Sequence, residues 1–298
     1  MCGGPTCVRG CGKVYPVRTD SWLTIVTVVR NDGPALQQTI ASVVAQSVTG
    51  VDYLILDGAS TDTTADIAVA ATKRHEWIRT ISEPDDGIYD AMNKGFATAQ
   101  GEWVYFLNAG DRFRSEGELA WLAAQLPNVR SGWFRSPVQF VDADGTPTRP
   151  LRTASLEPQG FGQGRQDVFH QGTVMTKLLL QRLGGFNTRF AIAADFDLMN
   201  RALELGLRPK VSDHVLVDVD ASGVSTQQWR RSLIEVHQAR TANADLQTRV
   251  LSRGQTALRV GEIAARRTVR HALTGVIGQK RYGAWRSGRS GESKSKNS

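Results

Sequence analysis

Four short runs rich in β-branched and aromatic residues, WLTIVTVV (22–29), VDYLILD (51–57), WIRTISE (77–83) and EWVYFL (102–107), are each separated by a helical pattern. Runs apolar at nearly every position suit strands buried on both faces. Between the first two, Pro34 stands near a helix start, and Leu36, Ile40, Val43 and Val44 recur on one helical face. GASTDTTADIAVAA opens a second helix with Ser and Thr available as caps, and Ile88, Met92 and Phe96 form the stripe of a third. Strands alternating with helices at this spacing restrict the chain to an α/β fold around a mostly parallel sheet, with helices on both faces.

After Asp111 the texture changes. Ser115 and Glu118 have capping-box spacing ahead of a short helix through Leu126. SGWFRSPVQFVDADGTPTRPLR reads as a β-hairpin turning at DADG, followed by a Gly/Gln-rich loop over 159–166 expected to be mobile. KLLLQRLGGF is a helix stopped by Gly184 and Gly185, and DFDLMNRALELG is a helix opened by carboxylates and ended at Gly206. HVLVDVD (214–220) is a last strand, and 226–250 has a helical pattern.

Ligands of an open parallel sheet bind beyond the carboxyl ends of its strands. Here the first strand ends at Arg30-Asn31-Asp32, the second at Asp57 and the fourth at Asn108 to Asp111, while the third leads into Asp85-Asp86. So many carboxylates along one rim call for a divalent cation, or for base and ribose hydrogen bonds, to offset their repulsion.

In order along the chain, TVVRNDGPALQQTIASVVAQS, LILDGASTDTTADIA, EPDDGIYDAMNKGFATAQGEWVYFLNAGD, FHQGTV and GGFNTRFAIAADFDLMNRALELG resemble bacterial family 2 glycosyltransferases. The likeness runs from about residue 22 to 225 and is nearest to the branch of colanic-acid and mycobacterial glycolipid glycosyltransferases. It implies a GT-A fold, with a nucleotide-binding half over 21–114 and an acceptor half over 115–225. It further implies hexosyl transfer with inversion, from a UDP- or GDP-type sugar donor to a glycan or lipid-linked acceptor, in cell-surface glycan or glycolipid synthesis.

Carried over by position, Thr27, Val29 and Asn31 would line the base pocket, Asp57 would bind the base, and Asp86 would lie beside the nucleoside. DGAS is also turn chemistry, but a strand-end acid at a ligand rim is not needed for turning, which favours the binding role of Asp57. The family's usual D-x-D-D pattern reads here Asn108-Ala109-Gly110-Asp111. Gly110 replaces the usual metal-binding Asp, which leaves Asp111 as the expected ligand of Mg²⁺ or Mn²⁺ and Asn108 as a ribose or phosphate contact. Asp195 matches the general base of inverting members, although Ala194 replaces a preceding Glu; a carboxylate there also complements a helix N-terminus. His170 and Gln171 match a recurrent pair that would touch the diphosphate or the acceptor, with a structural hydrogen-bonding role as the alternative. Tyr89, Met92 and Phe96 are assigned to helix packing.

The net charge of +7 is unevenly spread: residues from Arg259 onward carry ten Lys or Arg and two Glu, a net +8, which leaves the preceding chain at −1. A helical extension is expected over 226–285 and a disordered tail over 286–298. In the extension Val269, Leu273, Val276 and Ile277 share a face bordered by Arg266, Arg267 and Arg270. That pattern suits either a solvated appendage or contact with an anionic membrane surface. A nucleic-acid partner is not expected, because the body has no basic patch. Cys2, Cys7 and Cys11 lie in an N-terminal segment, 1–20, expected to be disordered, and lack the spacing of a metal site. With no apolar run of ~18 residues and no apolar leader core, a cytoplasmic protein is expected, and the membrane reading of the basic segment would place it peripherally at the inner face of the plasma membrane. A catalytically silent nucleotide-sugar-binding homologue is the rival reading outside enzymology. A sugar-1-phosphate nucleotidyltransferase is the rival enzyme, disfavoured because RNDGPALQQ lacks a glycine-rich phosphate loop.

Overall fold

The computed structural model describes residues 21–142, 144–148, 156, 169–221 and 228–242, with scattered positions from 253 to 268. The N-terminal segment with its cysteines, the 159–166 loop, the apolar tail positions 269–277 and the 286–298 tail lie outside the described residues. The chain divides into one compact unit through Ala242 and a second from Asn243 onward, whose described residues are helical. No described helix is long and apolar enough to cross a membrane.

The four apolar runs form β1 (Leu23–Val29), β2 (Val51–Asp57), β3 (Ile78–Ser82) and β4 (Trp103–Phe106). Between them lie α1 (Gly33–Val44), α2 (Thr64–Arg74) and α3 (Ile88–Thr98). All seven residues of β1 and of β2 are buried, as a strand covered on both faces requires. The strands pair in parallel in the order β3-β2-β1-β4, so the chain winds outward from β1 to β3 and then returns to β1's other side with β4. The strand order reverses between β1 and β4, the place where such sheets form a ligand crevice. On α3 the buried stripe passes through Tyr89 and Met92, whereas Ile88 is 39% exposed, one position away from the expected phase.

In the second half come β5 (Arg112–Phe113), α4 (Glu118–Gln125), β6 (Trp133–Arg135), β7 (Val138–Val141) and β8 (Thr173–Thr176). They are followed by α5 (Lys177–Leu183), α6 (Ala194–Glu204), β9 (Lys210–Val211), β10 (Val217–Asp220) and α7 (Trp229–Thr241). β8, β6 and β9 extend the large sheet beyond β4, with β8 antiparallel to both β4 and β6. β5, β10 and β7 form a second sheet of three strands. The expected hairpin therefore divides. Its first apolar stretch splits at Ser136-Pro137, with β6 in the large sheet and β7 in the small one, and Pro137 has no N–H to continue a ladder. The DADG turn does form, with Asp142 Oδ1 accepting from Asp144 N at 3.1 Å and from Thr146 N at 2.9 Å.

The capping box differs as well. Ser115 Oγ donates to Glu118 Oε1 at 2.8 Å rather than accepting from a backbone N–H, and Glu118 Oε2 lies 2.5 Å from His214 Nε2. α5 ends as expected: Gly184 takes the left-handed conformation at φ 75°, and Gly185 N closes back on Leu180 O at 2.9 Å. The helix α7 lies in the first compact unit, where its Glu235 accepts from Ile192 N at 2.7 Å and Ala193 N at 3.1 Å.

Candidate active site

The carboxyl ends of β3, β2, β1 and β4 form one continuous rim, as the register Val29↔Asp57↔Ser82 requires. Asp57, 1% exposed, accepts from Ser60 N at 3.3 and 3.2 Å through its two oxygens and from Ser82 Oγ at 2.6 Å. It thereby fixes both the loop after β2 and the end of β3. Asn31 holds the facing loop: its N–H donates to Ser60 Oγ at 2.8 Å, and its Oδ1 accepts from Thr61 N at 2.8 Å. Asn31 does this at φ 53°, a left-handed conformation that Asn tolerates better than most residues. Asp86 is exposed at the mouth of α3, and Asp85 accepts from Gly87 N at 2.9 Å. Thr27 and Val29 lie deeper. Thr27 is fully buried, and its hydroxyl donates to Leu107 O at 2.6 Å and meets the Tyr53 hydroxyl at 3.0 Å. Asp32, placed on this rim by the sequence, caps α1 by accepting from Ala35 N at 3.2 Å.

Across the crevice, the loop after β4 is anchored to α1. Thr39 Oγ1 donates to Asp111 O at 2.8 Å and accepts from Gly110 N at 3.0 Å. Gly110 stands at φ 94°, a backbone conformation suited to glycine. Asp111 is 3% exposed; its Oδ1 accepts from Asp220 N at 3.2 Å, and its Oδ2 is buried without a hydrogen-bond partner. Burial lifts its pKa to about 6, opposed by the charge of His170 and the amide of Gln171, while Asp220 adds to the rise. A hard cation takes oxygen ligands, and a buried carboxylate oxygen with no donor fits one. Among the described residues no three or more His, Cys, Asp or Glu side chains gather into a metal cage. A cation held here would complete its coordination with phosphate oxygens and water, as Mg²⁺ commonly does.

His170 joins the two halves of the site. Its Nε2 lies 2.9 Å from Asn108 Nδ2, and its Nδ1 lies 3.6 Å from Asp195 Oδ2. The short helix at His170–Gly172 is held by Tyr105, whose hydroxyl donates to Gln171 O at 2.5 Å. Asp195, in the first turn of α6 and 8% exposed, accepts from its neighbour Phe196 N at 2.7 Å. Asp197, in the same turn, is paired with Arg201 Nε at 2.8 Å, which gives it a structural role.

Three residues of this region were not singled out for the site by sequence reasoning. Tyr89, there assigned to packing alone, donates its hydroxyl to Ile192 O at 2.6 Å and lies 3.5 Å from Asp195 Oδ1. Its pKa is pushed well above the ordinary value, by burial first and then by the charge of Asp195. Arg135 is 2% exposed with Nε and Nη1 lacking hydrogen-bond partners; burial lowers its pKa to about 10, and Asp195 opposes that loss. Its signal in the sequence was a cation inside the aromatic strand WFR. Asp220, at the end of β10, meets Asp111 from the second sheet and gave no local signal, because that contact spans 109 positions.

The description Glycosyl transferase family 2 matches residues 24–153. The chain is 31% identical over 210 residues to the uncharacterized glycosyltransferase Rv1514c of Mycobacterium tuberculosis, covering 69% of this chain and 78% of that one. It is 28% identical over 180 residues to a PGL/p-HBAD biosynthesis glycosyltransferase of Mycobacterium bovis, covering 58% and 66%. Among solved structures, Staphylococcus aureus TarS 1–349 superposes with a TM-score of 0.57 at 16% identity, covering 79% of this chain and 69% of that one. The mannosyltransferase PcManGT of Pyrobaculum calidifontis, in complex with GDP-Man and Mn²⁺, gives 0.56 at 19% identity over 96% and 85%. The fold is that of GT-A glycosyltransferases, with the reversal of strand order between β1 and β4 at its centre. Rim, crevice and sequence likeness agree: the chain belongs to glycosyl transferase family 2 and is a glycosyltransferase.

Proposed function

We propose that the protein transfers a sugar, with inversion, from a UDP- or GDP-type nucleotide sugar to a lipid-linked or polysaccharide acceptor. The observation that carries this reading is the line Asn108–His170–Asp195, which connects the crevice to a carboxylate in the first turn of α6. On the donor side, Asn31, Asp57 and Asp86 surround the place of the base and ribose, with Thr27 and Val29 forming the floor beneath it. Asn108 and Asp111 face the diphosphate. Asp111 would hold a Mg²⁺ or Mn²⁺ ion, which when bound offsets charge on the departing diphosphate.

On the acceptor side, Asp195 takes the proton of the incoming hydroxyl as its oxygen bonds to the anomeric carbon from the face opposite the leaving group. The bond from that carbon to the diphosphate oxygen breaks, and the nucleoside diphosphate departs with the electron pair. His170 and Gln171 stand between the two events, against the diphosphate or the acceptor. The mycobacterial relative named for PGL/p-HBAD biosynthesis supports a glycolipid-type acceptor. The basic C-terminal segment, net +8, supports work at an anionic membrane surface on the cytoplasmic side. Gly110 in place of a side-chain ligand favours one rival, a homologue that binds nucleotide sugars without transferring them.

A thermal-shift screen of UDP- and GDP-sugars with and without Mn²⁺ identifies the donor, since binding stabilises the folded state by mass action. Sugar transfer or donor hydrolysis with that donor excludes the silent homologue. Asp195→Asn is expected to reduce transfer on the order of 10²- to 10⁴-fold with donor affinity retained. Transfer near the parent rate in that variant would place the base elsewhere.

A further inference from the structure

The substitution of glycine at position 110 leaves the family's usual carboxylate missing from the loop after β4, and the second sheet brings one back to the same place. A Cβ built on Gly110 would point at Asp220, 3.5 Å from its Cβ and 3.5 Å from its Oδ2. Position 110 cannot turn away, because its N–H is held by Thr39 Oγ1 at 3.0 Å and by Ala35 O at 3.3 Å. Its φ of 94° would strain any residue with a side chain. The backbone thus disfavours an aspartate at 110, while Asp220 lies in the direction that side chain would have taken.

Asp220 is also fixed to the remaining ligand candidate. Its N–H donates to Asp111 Oδ1 at 3.2 Å, so the two residues move as one unit. β10 pairs antiparallel with β5 through Asp218↔Arg112, which carries the end of β10 back to the residue after Asp111. Asp218, two positions earlier, is engaged by Arg114 at 3.1 Å. The buried Oδ2 of Asp111 has no hydrogen-bond partner. Asp111 and the backbone-linked Asp220 thus offer carboxylate oxygens, the ligands a hard divalent cation takes.

We infer that Asp220 is a cation ligand: Asp111 and Asp220 together bind one divalent metal ion, with Asp220 supplying from β10 the carboxylate that Gly110 cannot. The inference rests on the reading that Asp111 holds the cation. It adds that the site is built from two sheets and is closed by the diphosphate.

The test follows free Mn²⁺ by electron paramagnetic resonance as it is taken up by the full-length protein, with UDP in one series and GDP in another. The parent protein is expected to bind Mn²⁺ in at least one series, and Asp111→Asn to lose that binding. Asp220→Asn should weaken it by at least the roughly 10- to 100-fold that losing even a supporting partner of a metal ligand costs. Asp220→His, which keeps a metal-binding atom while removing the negative charge, should retain binding better than Asp220→Asn. Melting curves in EDTA confirm that the variants fold. Binding by Asp220→Asn equal to the parent, with Asp111→Asn impaired, would overturn the role of Asp220 and leave Asp111 as the ligand. Absence of Mn²⁺ uptake by the folded parent protein in both series would overturn the reading of Asp111 and this inference together.

Discussion

The two ends of the large sheet each bury an aspartate, and they treat it in opposite ways. At the amino end, Asp52 on β2 is 1% exposed and fully engaged: Arg79 binds it through two donors at 2.7 Å each, and Thr24 Oγ1 donates at 2.9 Å. At the carboxyl end, Asp111 is 3% exposed, accepts one backbone N–H, and leaves Oδ2 without a partner. Not far along the chain, Arg135 is buried with two donor atoms unused. A buried charge surrounded by matched partners serves the fold, whereas one left short of partners is costly and marks a place kept for ligand or chemistry. Burial alone does not separate the two aspartates; their partners do.

The largest expected effect breaks the amino-end pair. Arg79→Met leaves Asp52 buried without its cation and should destabilise the protein by about 3–5 kcal/mol, the usual cost of removing one partner of a buried ion pair. Denaturant unfolding measures it, and Mn²⁺ with nucleotide should shift parent and variant alike. A loss below about 1 kcal/mol would mean that the Asp52 network is not what closes that end of the sheet.

Asp111→Asn should act in the opposite direction in metal-free protein. The folded pKa of Asp111, about 6, lies above an unfolded value near 4, so the folded state binds the proton more tightly. The associated stability is fully present below about pH 4 and is lost as pH rises through 6. At pH 7 the ionised buried carboxylate costs up to roughly 3 kcal/mol, which the asparagine avoids. The variant is therefore expected to be more stable than the parent in EDTA at pH 7, with the gap closing at pH 4. A variant less stable than the parent at pH 7 would show that Asp111 is matched in solution like Asp52.

The amino-acid pattern made the α/β architecture legible because β1, β2 and β4 are buried along their whole length, so that each reads as an apolar run between helical patterns. It also located the rim, since parallel pairing in register brings the carboxyl ends of β1, β2 and β3 together. The second half was less legible for a physical reason. β6, β8 and β9 are two to four residues long, too short for periodicity to distinguish, and Pro137 moves the chain from one sheet to the other between two apolar stretches that read as one. Tyr89 looked like packing because its ring is indeed packed, stacked on Phe186 at 5.3 Å, while only its hydroxyl reaches toward Asp195. Asp220 was invisible for a different reason: its significance lies in facing a glycine, and the absence of a side chain at 110 says nothing about which residue fills the direction.

Asp57 lies between the two extremes, buried like Asp52 but at the ligand rim. Asp57→Ala removes the acceptor of Ser60 N and Ser82 Oγ, and should cost about 1–3 kcal/mol of stability. As a base contact it should also weaken nucleotide binding, measured by calorimetry on the folded fraction. Loss of stability with unchanged nucleotide affinity would move Asp57 to the structural class and leave Asn31 and Asp86 to hold the nucleoside.

The smallest effect concerns how the rim loops are held where no ion pair does the holding. Asn31 combines a left-handed backbone with acceptance of Thr61 N, so its replacement changes two things at once. Asn31→Gly keeps the backbone accessible and loses the side-chain bond, whereas Asn31→Ala loses the bond and also pays for a Cβ in the left-handed region. The alanine variant should therefore be the less stable of the two by about 1 kcal/mol, the lower end of the cost of that conformation. Part of that gap is offset because glycine loosens the unfolded chain more than alanine does, so the measured difference is a minimum for the backbone effect. Comparing the pair by denaturant midpoint at constant slope isolates it. Equal midpoints would mean that the loop relaxes once the side chain is gone. The left-handed backbone at Asn31 would then be a consequence of the Asn31–Thr61 bond, in contrast to the ion-paired amino end.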